Sequence, residues 1–251
     1  MSDSVKRTYG WSPDLPDHRD YKFAAIHTAK AIQDKVDLRK KCTVVEDQGQ
    51  LGSCVGNALV GNLEYLKNLN TKKTFSDLSR LFAYYNARLL ENSTKTDSGA
   101  QIRDGIKALS IYGICKENDW PYLIKKFASK PTVKCYTAAK PFAVSNYYRL
   151  NSLDQMLGCL SEGFPFVFGF SVYDYFESEA MAKSGILKMP KETEKLLGGH
   201  AVMAVGYNLK KKMVLVRNSW GNDWGLKGYF WMPFGYIDGT TLADDFWTIR
   251  Q

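Results

Sequence analysis

One stretch of the chain sets a nucleophile at the mouth of a helix. Gln48-Gly49-Gln50-Leu51-Gly52-Ser53-Cys54 is polar and glycine-rich, and from Ala58 the apolar residues Ala58, Leu59, Leu63, Leu66 and Leu69 recur at helical spacing. Gly49 and Gly52 permit a tight loop, and Ser53 can cap the first turn. Cys54 then meets the unpaired N–H groups and positive dipole end of that turn, a setting that lowers a thiol pKa and favours the thiolate. A thiolate attacks electrophilic carbon, and it needs a base beside it.

The chain has three histidines. His18 lies in a Pro/Asp-rich segment and His27 in a polar one. His200 follows Gly198-Gly199, which leave the backbone open to close approach, and it begins the apolar run Ala201-Val202-Met203-Ala204-Val205. Taken alone, it reads better as a satisfied core histidine. Asn218 changes that balance. Its carboxamide can accept from one imidazole nitrogen, fix the tautomer and leave the other nitrogen to face the thiol. Trp220 can cover that hydrogen bond, although Trp220 and Trp224 also suit ordinary core packing. Gln48, with the Cys54 N–H, can hold the oxyanion formed when the thiolate adds to a carbonyl. Gln50 competes for that role.

The elements that must position these groups fall into two halves. Leu78, Leu81, Phe82, Tyr85 and Leu89 predict a helix over residues 75–89, capped by Ser76 or Asp77. A polar loop follows through residues 92–99, and a third helix is expected over residues 102–112 with Gly113 as its stop. The second half changes period. Residues 165–172 read as a buried strand, 200–207 and 213–218 as a hairpin pair, and 228–232 and 245–249 as further strands. Helices followed by an antiparallel sheet make an α+β fold, with ligand sites favoured in the crevice between the halves.

Residues 1–35 differ from the rest. Tyr9–Tyr21 carries two prolines and several aromatics with no regular period, so it reads as an extended arm lying against something. Trp11, Leu15, Tyr21 and Phe23 are its expected anchors. A packed terminal arm and a segment that contacts and blocks a cleft through residues 11–21 both fit. The boundary is placed at residue 35, with the main domain over 36–251.

A chain of 251 residues can form one large domain or two lobes. Its net charge of +8 is spread without dense Lys/Arg clusters, which argues against a nucleic-acid partner. No signal-peptide pattern opens the sequence and no apolar run is long enough to span a bilayer, so no membrane contact is expected. The expected location is cytoplasmic, or outside the cell by a route without a recognisable signal. Five cysteines at irregular spacing give no zinc pattern and no disulfide framework, and a reducing compartment fits best. A Cys115–Cys135 bridge stays open. Neither a cofactor nor a metal is expected, and the chain should be a monomer.

Together these residues resemble the papain-like cysteine peptidases. Their signature pairs a cysteine near the start of the domain with a histidine about 130–150 residues later and an asparagine beyond it. Val36-Asp37-Leu38-Arg39 resembles the family's mature start, Cys115–Tyr122 its mid-chain motif, and Gly198–Val202 and Asn218–Gly221 its histidine and asparagine blocks. Leu51 and Val55 depart from it, standing where the family usually has a disulfide cysteine and a tryptophan. Trp11-Ser12-Pro13-Asp14-Leu15-Pro16-Asp17-His18-Arg19-Asp20 resembles the short extension of its prokaryotic-type branch.

The resemblance implies a helical left lobe, an antiparallel β-barrel-like right lobe and a cleft between them that takes a polypeptide. It implies Cys54 as nucleophile, His200 as base and then acid, Asn218 as orienter and Gln48 as oxyanion donor. Gly99 is the expected partner for the substrate main chain. Ala100, Gly169 and Gly198 are placed around the pocket for the second residue before the cut, with Gly199 and Trp220 alongside. The implied activity is hydrolysis of peptide bonds through a thioester. Isopeptide cleavage or acyl transfer on the same triad, or binding without turnover, are the alternatives.

Overall fold

In the computed structural model of the chain, residues 7–23, 32–69, 77–239 and 241–250 are described. His27, Ser76 and residues 1–6 and 24–31 of the expected arm lie outside them.

The first half is helical, as its periodicity predicts. α1 (Cys54–Leu69) begins at Cys54 itself and is buried along nearly its whole length. Ser53 precedes it, but its hydroxyl pairs with Tyr122 Oη at 2.5 Å and accepts from Asn57 Nδ2, so it does not serve as the expected first-turn cap. α2 (Arg80–Leu90) starts later than expected, capped by Ser79, whose Oγ accepts from the Phe82 N–H. Leu78 is held extended there. Its N–H donates to Glu64 Oε1 at 2.8 Å and it bridges to Lys116, so Asp77 falls outside the helix. α3 (Ile102–Tyr112) ends at Gly113, which takes a φ of +72° that favours glycine. α4 (Val133–Ala139), α5 (Leu153–Ser161) and α6 (Glu179–Ser184) are shorter.

The second half is an antiparallel sheet. Its strands are β1 (Lys35–Asp37), β2 (Asn146–Arg149), β3 (Phe166–Tyr173), β4 (Leu196–Asn208), β5 (Met213–Arg217), β6 (Tyr229–Pro233) and β7 (Ala243–Arg250). The order is β2-β7-β3-β4-β5-β6, with β1 on β4. β1 and β2 escape the sequence reading because they are short and carry no alternating apolar pattern. β3 shows why its sequence is apolar throughout. Val167 faces the core around α1, while Phe166, Phe168 and Phe170 face a second, aromatic core on the other side of the sheet.

The first core joins the lobes. α1 packs with α2 and α3 on one side and with Val167, Ala201, Met203 and Trp247 of the sheet on the other. Cys54, at the N-terminal end of α1, is therefore brought to the start of β4, where His200 lies. All five cysteines are free, so the Cys115–Cys135 bridge is not formed. The Cys135 thiol donates to the Asp119 carbonyl instead.

Candidate active site

His200 lies on β4 opposite Phe170 of β3. β5 pairs with β4 so that Arg217 sits opposite Met203, and Asn218 follows directly. This register brings the Asn218 carboxamide to the imidazole, with His200 Nε2 and Asn218 Oδ1 2.8 Å apart. The Ser219 N–H donates to the same Oδ1 at 2.8 Å, which identifies that atom as the acceptor. His200 therefore carries its proton on Nε2, and Nδ1 is left with a bare lone pair. Nδ1 is buried and makes no hydrogen bond among the described residues. Trp220 lies beside the pair, with ring centroids 5.3 Å from His200, and Phe170 and Phe176 close the other sides.

Cys54 is fully buried at the first residue of α1. The backbone amides of Ala201, Gly10, Val55 and Cys54 itself bear on its sulfur, and Ala201 is the neighbour of His200. Burial outweighs them and pushes the thiol up to about 11. This reverses the lowered pKa expected of a cysteine at a helix start, because the site is covered. Burial likewise lowers His200 to about 4, against the raising effect of the Asn218 hydrogen bond. Both shifts favour a neutral thiol and a neutral imidazole in the covered site.

Gln48 is buried and Gln50 is exposed. The segment around Gln48 is stitched to the asparagine segment. The Gln48 N–H donates to the Ser219 carbonyl, and the Gly221 N–H donates to the Glu46 carbonyl. Gln48 Oε1 accepts from Ser219 Oγ, which turns Nε2 toward the Leu51 carbonyl at 2.9 Å and the Thr8 carbonyl at 3.3 Å.

Thr8 belongs to the arm, and the arm is what covers the site. The Trp11 N–H donates to the Gly199 carbonyl and the Ser12 N–H to the Ala100 carbonyl, while the Ala100 N–H donates to the Gly10 carbonyl at 2.8 Å. The arm's main-chain pairing thus falls on Ala100, next to Gly99, the expected partner for a substrate main chain. The Gly99 N–H is taken by Tyr84 Oη at 3.1 Å. A Cβ on Gly169 would land 1.9 Å from the Trp11 ring and one on Gly199 2.6 Å from the Trp11 carbonyl oxygen, so both glycines make room for this residue. Gly198 instead backs Tyr9, which reaches over His200 and donates to Glu177. Arg7 lies over Trp220 and pairs with Asp47. Two expected anchors do not hold the arm, since Leu15 is 70 % exposed and Tyr21 65 %. Phe23 is buried as expected.

Residues 32–244 match the family of papain family cysteine proteases. The chain belongs to the papain family of cysteine proteases. An uncharacterized peptidase C1-like protein of Acanthamoeba polyphaga mimivirus is 40 % identical over 275 residues, covering 99 % of this chain and 88 % of that one. Among solved structures, xylellain, a cysteine protease from Xylella fastidiosa, matches with a TM-score of 0.89 and 38 % identity, covering 100 % of this chain and 98 % of that one. Bromelain from Ananas comosus shares the fold at a TM-score of 0.67 and 23 % identity, covering 87 % of this chain and 99 % of that one.

This papain-family protein departs from the usual pattern at Leu51, and hydrogen bonds stand in for the missing disulfide. The Gly52 N–H donates to both Asp97 oxygens, Tyr84 Oη donates to Asp97 Oδ1 at 2.6 Å, and Tyr84 in turn accepts from Gly99. The Cys54 loop is thereby tied to the loop that carries Ala100. The sequence reading did not find Tyr84 and Asp97, because neither residue type nor spacing marks a long-range hydrogen bond. It also passed over a second group. Asp14 of the arm accepts from the Arg103 N–H and from Trp247 Nε1, and Asp20 accepts from Arg103. Asp245, with Asp244 beside it, accepts from Arg149. The available signal was a pair of acidic residues opening an otherwise apolar strand.

Proposed function

We propose that this papain-family cysteine peptidase is an endopeptidase acting through Cys54, His200 and Asn218, and that residues 1–35 restrain the domain formed by 36–251. The observation that carries the reading is the His200–Asn218 hydrogen bond, which leaves Nδ1 bare on the residue next to Ala201, whose backbone amide bears on Cys54.

His200 Nδ1 takes the Cys54 proton, and the thiolate adds to the carbonyl carbon of the scissile bond. The oxyanion is held by Gln48 Nε2 and the Cys54 N–H. Collapse breaks the C–N bond as His200 Nδ1–H gives its proton to the departing amine, and a thioester remains. Water, deprotonated at His200, then cleaves the thioester and restores the thiol. Asn218 holds the imidazole in one tautomer throughout.

The arm occupies the groups this sequence needs. Its Thr8 carbonyl lies on Gln48 Nε2, its main chain pairs with Ala100, and Tyr9 and Gly10 cover His200 and Cys54. The test is peptide turnover by the full chain, by a chain starting near Lys35 and by Cys54→Ala in each. Turnover that rises on shortening and disappears with Cys54→Ala supports the reading. Turnover that survives Cys54→Ala, or is equal with and without the arm, refutes the corresponding half.

A further inference from the structure

We propose that Asn57 is a positioning residue for the proposed catalytic set, holding Asn218 through one buried water molecule that accepts from Asn218 Nδ2 and donates to Asn57 Oδ1. This rests on the peptidase reading above and adds a residue to it.

The need arises at Asn218. Its Oδ1 accepts from His200 Nε2 and from the Ser219 N–H, each at 2.8 Å. Oxygen and nitrogen sit on opposite sides of a planar carboxamide, so Nδ2 is turned away from the imidazole. That group is buried and has no hydrogen-bond partner among the described residues. A buried donor left bare favours any rotation that satisfies it, and such a rotation draws Oδ1 off His200.

Asn218 lines two small cavities of about 10 Å³ each, the space one water needs, and Asn57, Arg217 and Ser219 line both. Glu64 and Arg80 line the first. Most polar groups there are already committed. The Arg217 guanidinium donates to the Thr43 carbonyl at 2.5 Å and the Val44 carbonyl at 2.6 Å, and Ser219 Oγ donates to Gln48 Oε1. Arg80 pairs with Glu46 at 3.3 Å. Asn57 is different. Its Nδ2 donates to the Ser53 carbonyl at 3.0 Å and to Ser53 Oγ at 3.1 Å, which turns Oδ1 the other way. The contact that Oδ1 receives from Arg80 is long, at 3.5 Å. Glu64 accepts from the Leu78 N–H and the Thr43 hydroxyl, and a carboxylate keeps lone pairs beyond those two. A water here accepts from Asn218 Nδ2 and donates to Asn57 Oδ1 and to Glu64, the usual number of bonds for a buried water.

The bridge spans both halves of the site. Asn57 lies in the same first turn of α1 as Cys54, and Asn218 follows β5. One water thus ties the helix that carries the nucleophile to the side chain that orients the base.

The test reads the imidazole itself, in the full chain and without substrate. Histidine rings are labelled with isotopic nitrogen, and His18→Gln and His27→Gln assign their NMR signals. In the parent, His200 is expected as the Nε2–H tautomer with a slowly exchanging proton. In Asn57→Leu, which removes the acceptor, that proton should exchange at least about tenfold faster and the Nδ1–H tautomer should appear. Asn57→Asp keeps an oxygen for the water, with Arg80 beside it to balance the charge, and should stay within about twofold of the parent. Both variants lose the donor to Ser53, so equally fast exchange in the two would place the effect at Ser53 and overturn the proposal. Unchanged exchange in Asn57→Leu also overturns it. A high-resolution crystal structure of the parent needs no variant to fold. A water within hydrogen-bond distance of both Asn218 Nδ2 and Asn57 Oδ1 is expected there, and its absence overturns the proposal.

Neither readout depends on turnover. Should no form of the chain cleave peptides while the water and the exchange order hold, the peptidase reading falls and the water site stands. Cleavage that requires Cys54, with no water at this position, does the reverse.

Discussion

The side-chain amide of Gln48 donates to the carbonyl oxygen of Thr8, 3.3 Å away. A carbonyl of the chain's own arm thus lies on the donor that the proposed mechanism reserves for a substrate's oxyanion. The same arm strands His200 and Cys54 without solvent, so the covered site holds them as neutral partners. In the proposed reading, restraint and loss of ionisation share one cause, the burial of a site that the arm covers.

Gln48→Ala should lower kcat by about 100- to 1000-fold, the usual loss for one oxyanion donor, with little change in KM. Steady-state kinetics on the chain starting near Lys35 check this. A rise in KM with kcat unchanged would assign Gln48 to substrate binding.

Asn218→Ala should lower kcat by roughly ten- to a hundredfold, because His200 Nε2–H loses its acceptor and the ring loses its fixed tautomer. Asn218→Asp, which keeps an acceptor in place, should recover part of that loss. Equal kcat in all three chains would show that the hydrogen bond does not orient the base.

Gly10→Ala should loosen the arm. A Cβ there would stand 1.8 Å from the Gly52 carbonyl oxygen, an overlap the main chain cannot absorb in place. Cys54 alkylation in the full chain should accelerate by at least about tenfold, equivalent to about 1.4 kcal/mol of overpacking. The pH midpoint of alkylation should fall below the value of about 11 that burial imposes. An unchanged rate and midpoint would mean that the arm does not control access.

Among the groups that link stability to pH, Asp245 and His200 act with opposite sign. Burial and the charge of Asp14 push Asp245 up to about 7, so the folded chain keeps a proton that the unfolded chain releases near pH 4. That contribution is present at low pH and is lost as pH rises through about 7. His200, lowered to about 4, refuses a proton that the unfolded chain takes below about pH 6.5, so its contribution grows over much the same window. Asp245→Asn removes the first contribution only. The melting temperature of the variant minus that of the parent should therefore increase from pH 4 to pH 7. A difference that stays flat or declines contradicts the coupling.

Asp97→Ala should cost about 1 kcal/mol for each buried donor left unpaired, which lowers the melting temperature by a few degrees in a chain of this size. Because Asp97 links the Gly52 and Gly99 loops, limited proteolysis should cut first within residues 92–99. Cleavage elsewhere, with an unchanged melting temperature, would show that the loops are held by other contacts.

Residue order alone determines much of this protein. The 3.6-residue period of Ala58–Leu69 and Ile102–Tyr112 and the apolar runs of β3 and β4 are local patterns, and they place the helices and strands. Residue type and spacing likewise point to Cys54, His200 and Asn218 as the proposed catalytic set. Only the tertiary structure decides what depends on contacts between distant segments. That Ser79 caps α2 follows from Glu64 holding Leu78. Main-chain pairing at Ala100 follows from Tyr84 taking the Gly99 N–H. Asp245 is buried where a bulge opposite Phe168 interrupts the pairing of β3 and β7. Even the Cys54 pKa reverses, because the helix dipole acts locally whereas burial depends on an arm that comes from another part of the chain.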